Sequence, residues 1–208
     1  MKQSAAIKAR REAAPIVVAY PEALPVSQHV DALKRLIEAN QVVVIGGATG
    51  SGKSTQLAKL CLELERGVER QIGHTQPRRI AARAIAARIA AETATSVGEW
   101  IGYNVRFDDR RAPHSRLILM TDGILLNEIN GDPLLEKYDT LIIDEVHERT
   151  LNIDVILGHL KRILVRRCDL KVIITSATLD LEVITNHFEG CATFEIAGRQ
   201  YPVETRYR

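Results

Sequence analysis

The chain has 208 residues, enough for one α/β domain with a substantial core or at most two small ones. A hydrophobic content of 46% with 26% charged residues is that of an ordinary globular protein, which excludes a disordered or membrane-embedded chain. A net charge of +2 does not announce a polyanion partner, so local clusters must decide that question.

Residues 1–22 are rich in alanine and charge and read as a flexible N-terminal arm. Their apolar run, "IVVAY", is too short for a secretory signal, and no stretch approaches the ~20 apolar residues needed to cross a bilayer. No membrane partner is expected. The three cysteines, Cys61, Cys168 and Cys191, are scattered and lack metal spacing, as free thiols of a reducing cytoplasm do.

A single lobe is expected over residues 23–197. In "LPVSQHVDALKRLIEANQ", Ser27 reads as a helix N-cap ahead of Val30, Leu33, Leu36 and Ile37 at helical spacing. Continuous apolar runs then alternate with helical patterns: "QVVVIG", "RQIGHT", "RLILMT", "DTLIIDE" and "LKVIITSAT". Such runs are strands buried on both faces. Their alternation with helices predicts an α/β fold, a doubly wound, mostly parallel sheet with helices on both faces. Ligands then bind beyond the carboxyl edge.

"GATGSGKS", from Gly47 to Ser54, fits G-x-x-x-x-G-K-[ST] between a strand and a helix. Gly50 and Gly52 let the backbone curl its N–H groups around phosphate oxygens at a helix N-terminus. Lys53 would reach the β and γ phosphates and Ser54 would hold Mg²⁺. The nucleotide-binding candidates are Gly47, Ala48, Thr49, Gly50, Ser51, Gly52, Lys53, Ser54 and Thr55.

"LIIDEVHERT" places Asp144 and Glu145 at the end of an apolar strand. Adjacent acids at a strand end are often a solvated turn, but beside a phosphate loop they supply both tasks of phosphoryl transfer to water. Asp144 serves the metal shell, and Glu145 orients or deprotonates the attacking water. A third strand ends in Ser176, Ala177 and Thr178, whose hydroxyls read the hydrolysis state or cap a helix.

"GATGSGKSTQ", "TQPRRIAAR", "MTDGILL", "DEVHERTLNID", "TSAT" and "GRQYPVE" stand in the order and spacing of DEAH-box superfamily 2 helicases. From Leu24 to Arg208 the chain resembles the first RecA-like lobe of RNA helicases of the bacterial HrpA type. The resemblance implies ATP or another NTP with Mg²⁺ as cofactors, and metal contacts from Ser54, Asp144 and Glu145. It implies that His147, Ser176 and Thr178 couple hydrolysis to movement between lobes, and that Arg88 stacks on the base, compatible with broad nucleotide use. Val146 stands where the family has alanine, and Ala48 where related helicases often have glutamate.

The resemblance also implies single-stranded RNA held through its backbone by Arg78, Arg79, Thr121, Asp122 and Gly123. Arg106, in "NVRFDDRR", joins them on what reads as a hairpin-like excursion, while "KRILVRR" reads as a helix exterior. Such a grip is salt dependent and nearly sequence blind. Residues 198–208 read as the start of a linker to a second RecA-like lobe, and no "QRxGRxGR"-like segment is present. The expectation is one lobe of a 3′-to-5′ RNA helicase, nearly inactive alone, with the ribosome as a further candidate partner. A DNA-directed helicase, a catalytically silent ribosome- or RNA-binding module and a metabolic P-loop kinase are the alternatives. The last would need a lid and an acceptor pocket.

Overall fold

The computed structural model describes residues 2–13, 16–177 and 181–197. Thr178 and the expected linker, residues 198–208, lie outside them.

Helix α1 (Lys2–Glu12) is followed by a 3₁₀ turn (Pro25–His29) and α2 (Val30–Ala39). The chain continues as β1 (Val42–Gly47), α3 (Lys53–Glu63), β2 (Gln71–Gln76) and α4 (Arg79–Glu92). Next come β3 (Ile101–Val105), β4 (Asp108–Arg110), β5 (Leu117–Thr121) and α5 (Asp122–Gly131). The remainder is β6 (Tyr138–Ile143), a second 3₁₀ turn (Val146–Glu148), α6 (Leu151–Leu164), β7 (Lys171–Ser176), α7 (Glu182–His187) and β8 (Ala192–Ile196).

The strands form one sheet in the order β4-β3-β5-β2-β6-β7-β1-β8, parallel except for the β3–β4 hairpin. The continuous apolar runs have their reason here. Val43 and Ile45 of β1 enter one core with Leu33, Leu57 and Leu60, while Val42 and Val44 enter the other with Ile156 and Leu160. Every side chain of β1 is therefore buried, and alternation of polar and apolar residues is impossible. Strand order then places function: β7 lies between β1 and β6, so the ends of all three open side by side.

At four places the structure departs from what the sequence suggests. The arm expected at the N-terminus contains α1, which is docked: Ala6 and Arg10 are buried, and Arg11 pairs with Glu69 at 2.5 Å. Ser27 caps nothing, because Pro25 opens the first 3₁₀ turn and His29 occupies the N-cap of α2 without a side-chain cap bond. That turn instead backs the phosphate loop, with Val26 N–H donating to the Ser51 carbonyl at 3.1 Å. Strand β8 was not expected, since its residues alternate between partial burial and exposure at the sheet edge. The last arginine of "KRILVRR", finally, is not exterior. Arg167 is buried, donating to the carbonyls of Leu134, Leu135 and Tyr138 at 2.6, 2.9 and 2.7 Å and bidentately to Asp169 at 2.9 Å.

Truncating that guanidinium removes a donor from the carbonyls of Leu134 and Tyr138 and leaves that of Leu135 with the Tyr138 N–H alone. Arg167→Ala should cost roughly 3 kcal/mol, read as a fall of about 6–12 °C in thermal unfolding. A shift under about 2 °C would show that Arg167 does not hold the β6 approach together.

Candidate active site

Backbone geometry sets the phosphate loop. Gly50 and Gly52 take φ of +81° and +92°, left-handed values that leave the loop amides free to curl. At Gly52 a Cβ would also lie 2.9 Å from Val26 Cγ1, so the backing turn leaves room for hydrogen only. Helix α3 starts at Lys53, pointing its N-terminus and dipole at the loop. Lys53 is 3% exposed, and its ammonium donates to the Gly47 and Ala48 carbonyls at 2.5 and 3.0 Å and to Ser51 Oγ at 3.2 Å. Burial lowers its pKa, and the charges of Glu145 and Asp144 pull it back up. Ala48, Thr49 and Gly50 form the exposed rim, whereas Ser54 and Thr55 are half-buried.

Asp144 is fully buried at the end of β6. Its Oδ2 accepts from Gln76 Nε2 at 2.5 Å and lies 3.4 Å from His74 Nε2; its Oδ1 accepts from the Thr175 hydroxyl and from Glu145 N–H at 3.1 Å. Burial pushes the carboxyl up, but His74 and the hydroxyls of Ser54 and Thr175 outweigh it and hold Asp144 well below the usual carboxylate range. Ser54 of the phosphate loop and Asp144 thus meet. Sequence reasoning missed His74, Gln76 and Thr175. The available signal was their polarity at the ends of otherwise apolar strands.

Glu145 turns the chain through φ +57°, with its N–H also 3.3 Å from Thr175 Oγ1. Burial and the neighbouring Asp144 raise its carboxyl, partly opposed by His147 and Lys53. His147 Nδ1 lies 3.2 Å from Glu145 Oε2 and accepts the Ala177 N–H at 3.2 Å, so it bridges the acidic pair and the end of β7. Ser176 is buried there. Among the described residues no group of three or more His, Cys, Asp or Glu could hold a metal unaided. The Ser54 hydroxyl beside the Asp144 carboxylate offers the one or two oxygen ligands that Mg²⁺ takes from a protein.

A second group of candidates lies along the same carboxyl edge. Gln76 pairs with Thr121, and Asn104 with Met120, so the ends of β2, β5 and β3 are adjacent. This brings together Arg78 and Arg79, the Thr121–Gly123 turn and Arg106 at the hairpin tip. All three arginines are exposed, with Arg78 3.4 Å from Glu148 and Arg106 stacked on Phe107 at 4.8 Å. Asp122 differs: it is 4% exposed and points inward, leaving Gly123 as the exposed residue of the turn. Arg88 lies farther along α4, exposed and paired with Glu92.

The eight-stranded sheet and this arrangement of its strand ends are those of a RecA-like lobe. Residues 27–186 match the DEAD/DEAH box helicase family. Over 198 residues the chain is 57% identical to the ATP-dependent RNA helicase HrpA of Escherichia coli, covering 95% of this chain and 15% of that protein. It is 54% identical over 203 residues to the ATP-dependent RNA helicase HrpA homolog of Haemophilus influenzae, covering 97% of this chain and 16% of that protein. The chain spans a small part of the length of these relatives. By the match over residues 27–186, it belongs to the DEAD/DEAH box helicases.

Proposed function

We propose that this chain is the NTP-binding lobe of an ATP-dependent RNA helicase, coupling hydrolysis to 3′-to-5′ movement on single-stranded RNA and to remodelling of duplexes or RNA–protein complexes. One observation carries the reading: the buried ammonium of Lys53, the hydroxyl of Ser54 and the acidic pair Asp144–Glu145 meet at one edge, beside an exposed row of arginines. The curated relatives carry the name ATP-dependent RNA helicase, which favours RNA over DNA. The intact set of Lys53, Asp144 and Glu145 argues against a catalytically silent binding module.

Each residue has a task. Loop amides and Lys53 bind the β and γ phosphates, replacing the Gly47 and Ala48 carbonyls as partners of the ammonium. Ser54 and Asp144, with Glu145 beside them, would hold Mg²⁺, which would offset phosphate charge. Glu145, with a raised carboxyl, orients the attacking water and accepts its proton. His147 and Ser176, joined by Thr178, pass the state of the pocket towards a second RecA-like lobe. Arg88 leaves Glu92 to stack on the base. Arg78, Arg79, Arg106 and the Gly123 amide grip RNA phosphates, with Thr121 and Asp122 shaping the turn. Alone, the lobe lacks the arginine fingers that supply about 10³–10⁵ in rate, and turns over slowly. A cytoplasmic setting and ribosomal association complete the proposal; among the described residues no helix is long and apolar enough to cross a membrane.

Two measurements on the full-length protein test it. Single-stranded RNA should stimulate NTP hydrolysis, and Glu145→Gln should retain NTP binding while losing at least about 10²-fold in kcat. An RNA-independent rate removes the motor, and an unimpaired Glu145→Gln removes the assigned base. Thr175→Val keeps the side chain's shape but deletes the hydroxyl shared by Asp144 and the Glu145 amide. It should weaken Mg²⁺-dependent NTP binding about tenfold. Unchanged Mg²⁺ dependence would show that Asp144 needs no such support.

A further inference from the structure

Asp122 opens α5 in the middle of the proposed RNA grip, yet its side chain does not face solvent. Its Oδ1 is buried and has no hydrogen-bond partner among the described residues. A carboxylate so placed is costly unless something else uses it. Around it stand the Thr75 hydroxyl from the end of β2, Glu148 from the turn after β6 and Asp144 at the end of β6, the acids both repelling it. Arg78 draws off part of the Glu148 charge, at 3.4 Å, and α6 brings neutral Asn152 against Gly123.

We propose that Asp122 is a positioning residue of the nucleic-acid grip, taking up a proton when a phosphodiester engages the Thr121–Gly123 turn. This rests on the RNA-binding reading above. A phosphate at the exposed Gly123 adds a third negative charge to the acids already beside Asp122 and disfavours its ionised form. The local hydrogen bonds are built for both states. Ionised, Asp122 accepts from Thr75, whose alternative acceptor, the Ile142 carbonyl, is a marginal 3.5 Å away. Protonated, Asp122 donates to Thr75 Oγ1, and the threonine proton turns to Ile142. One hydrogen bond reverses, and the strand end is drawn towards β6. Thr75 stands between His74 and Gln76, which hold Asp144, so the reversal acts on the strand end that orients the metal-binding carboxylate.

Burial first, then Glu148 and Asp144, push the carboxyl up to about 6 despite the Thr75 hydrogen bond, and a nearby phosphate raises it further. Strand binding therefore takes up a proton, and affinity falls as pH rises above about 6 until it passes the pKa of the complex. If strand binding strengthens the proton affinity of Asp122 tenfold, RNA affinity at pH 8 is about sevenfold weaker than at pH 5.5.

The experiment is single-stranded RNA binding by the full-length protein at constant ionic strength, pH 5.5 to 8. Wild type should show the fall. Asp122→Asn, folded by thermal unfolding, should bind with nearly flat affinity across the range. Thr75→Val removes the hydrogen bond that favours the ionised form and should move the fall to higher pH. It also serves if Asp122→Asn does not fold. A pH dependence that survives in Asp122→Asn, or an unmoved window in Thr75→Val, overturns the inference while leaving the RNA-binding reading intact. A protein that binds no strand at any pH overturns both.

Discussion

A carboxylate with no access to water stays ionised only if its neighbours replace that water, and Asp144 is such a group. Its partners come from separate places in the chain: His74 and Gln76 end β2, Thr175 ends β7, and Ser54 follows β1. No local segment could assemble them. The sheet order does so by setting β6 between β2 and β7, with β1 one strand beyond. The topology is thus the precondition for a charged Asp144, and a charged Asp144 for the cation proposed to sit beside the glycine-rich loop.

The same need for paired charge joins the two functional halves. Lys59 lies within α3, the helix that Lys53 opens, and is fully buried. Its ammonium donates to Glu92 at 2.5 Å and to the Ala19 carbonyl at 2.6 Å. Glu92 ends α4, the helix that begins at Arg79, and also takes Gln56 and Arg88. The helix that follows the glycine-rich loop and the helix behind the proposed RNA grip therefore share one buried ion pair, which resists their separation far more than an exposed pair would. If Arg88 moves onto a base, Glu92 keeps Lys59, so the junction survives the change.

Much of this was legible because it is written in runs and spacings. Five apolar runs became β1, β2, β5, β6 and β7, and the phosphate loop and acidic pair follow strand ends as their context required. Other parts were hidden for physical reasons. Strand β8 carries Thr193 and Glu195 at a half-covered edge, so no apolar run marks it. Helix α1 is held through Arg10 and Arg11, whose partners Ser115 and Glu69 are distant in sequence. Arg167 resembles any surface arginine until the fold brings three carbonyls to it. His74 shows in the sequence only as a polar residue late in a strand; the neighbouring strand is what makes it a partner of Asp144.

Glu145 combines these constraints in one residue. A side chain other than glycine at φ +57° and ψ +40° is strained by roughly 1–2 kcal/mol, and persists where surroundings over-determine it. Here Asp144 Oδ1 and Thr175 Oγ1 both lie within reach of its N–H, so the backbone is pinned in the left-handed turn. An extended residue at this point would send its side chain to one face of the sheet. The turn instead holds the carboxyl beside Lys53 and His147, away from the oxygens of Asp144 that are already engaged. Two adjacent acids thereby acquire different chemistry: Asp144 fully buried and ionised, Glu145 half-buried with its carboxyl raised. The strain is what separates the carboxylate proposed to hold a cation from the proposed proton acceptor one peptide bond away.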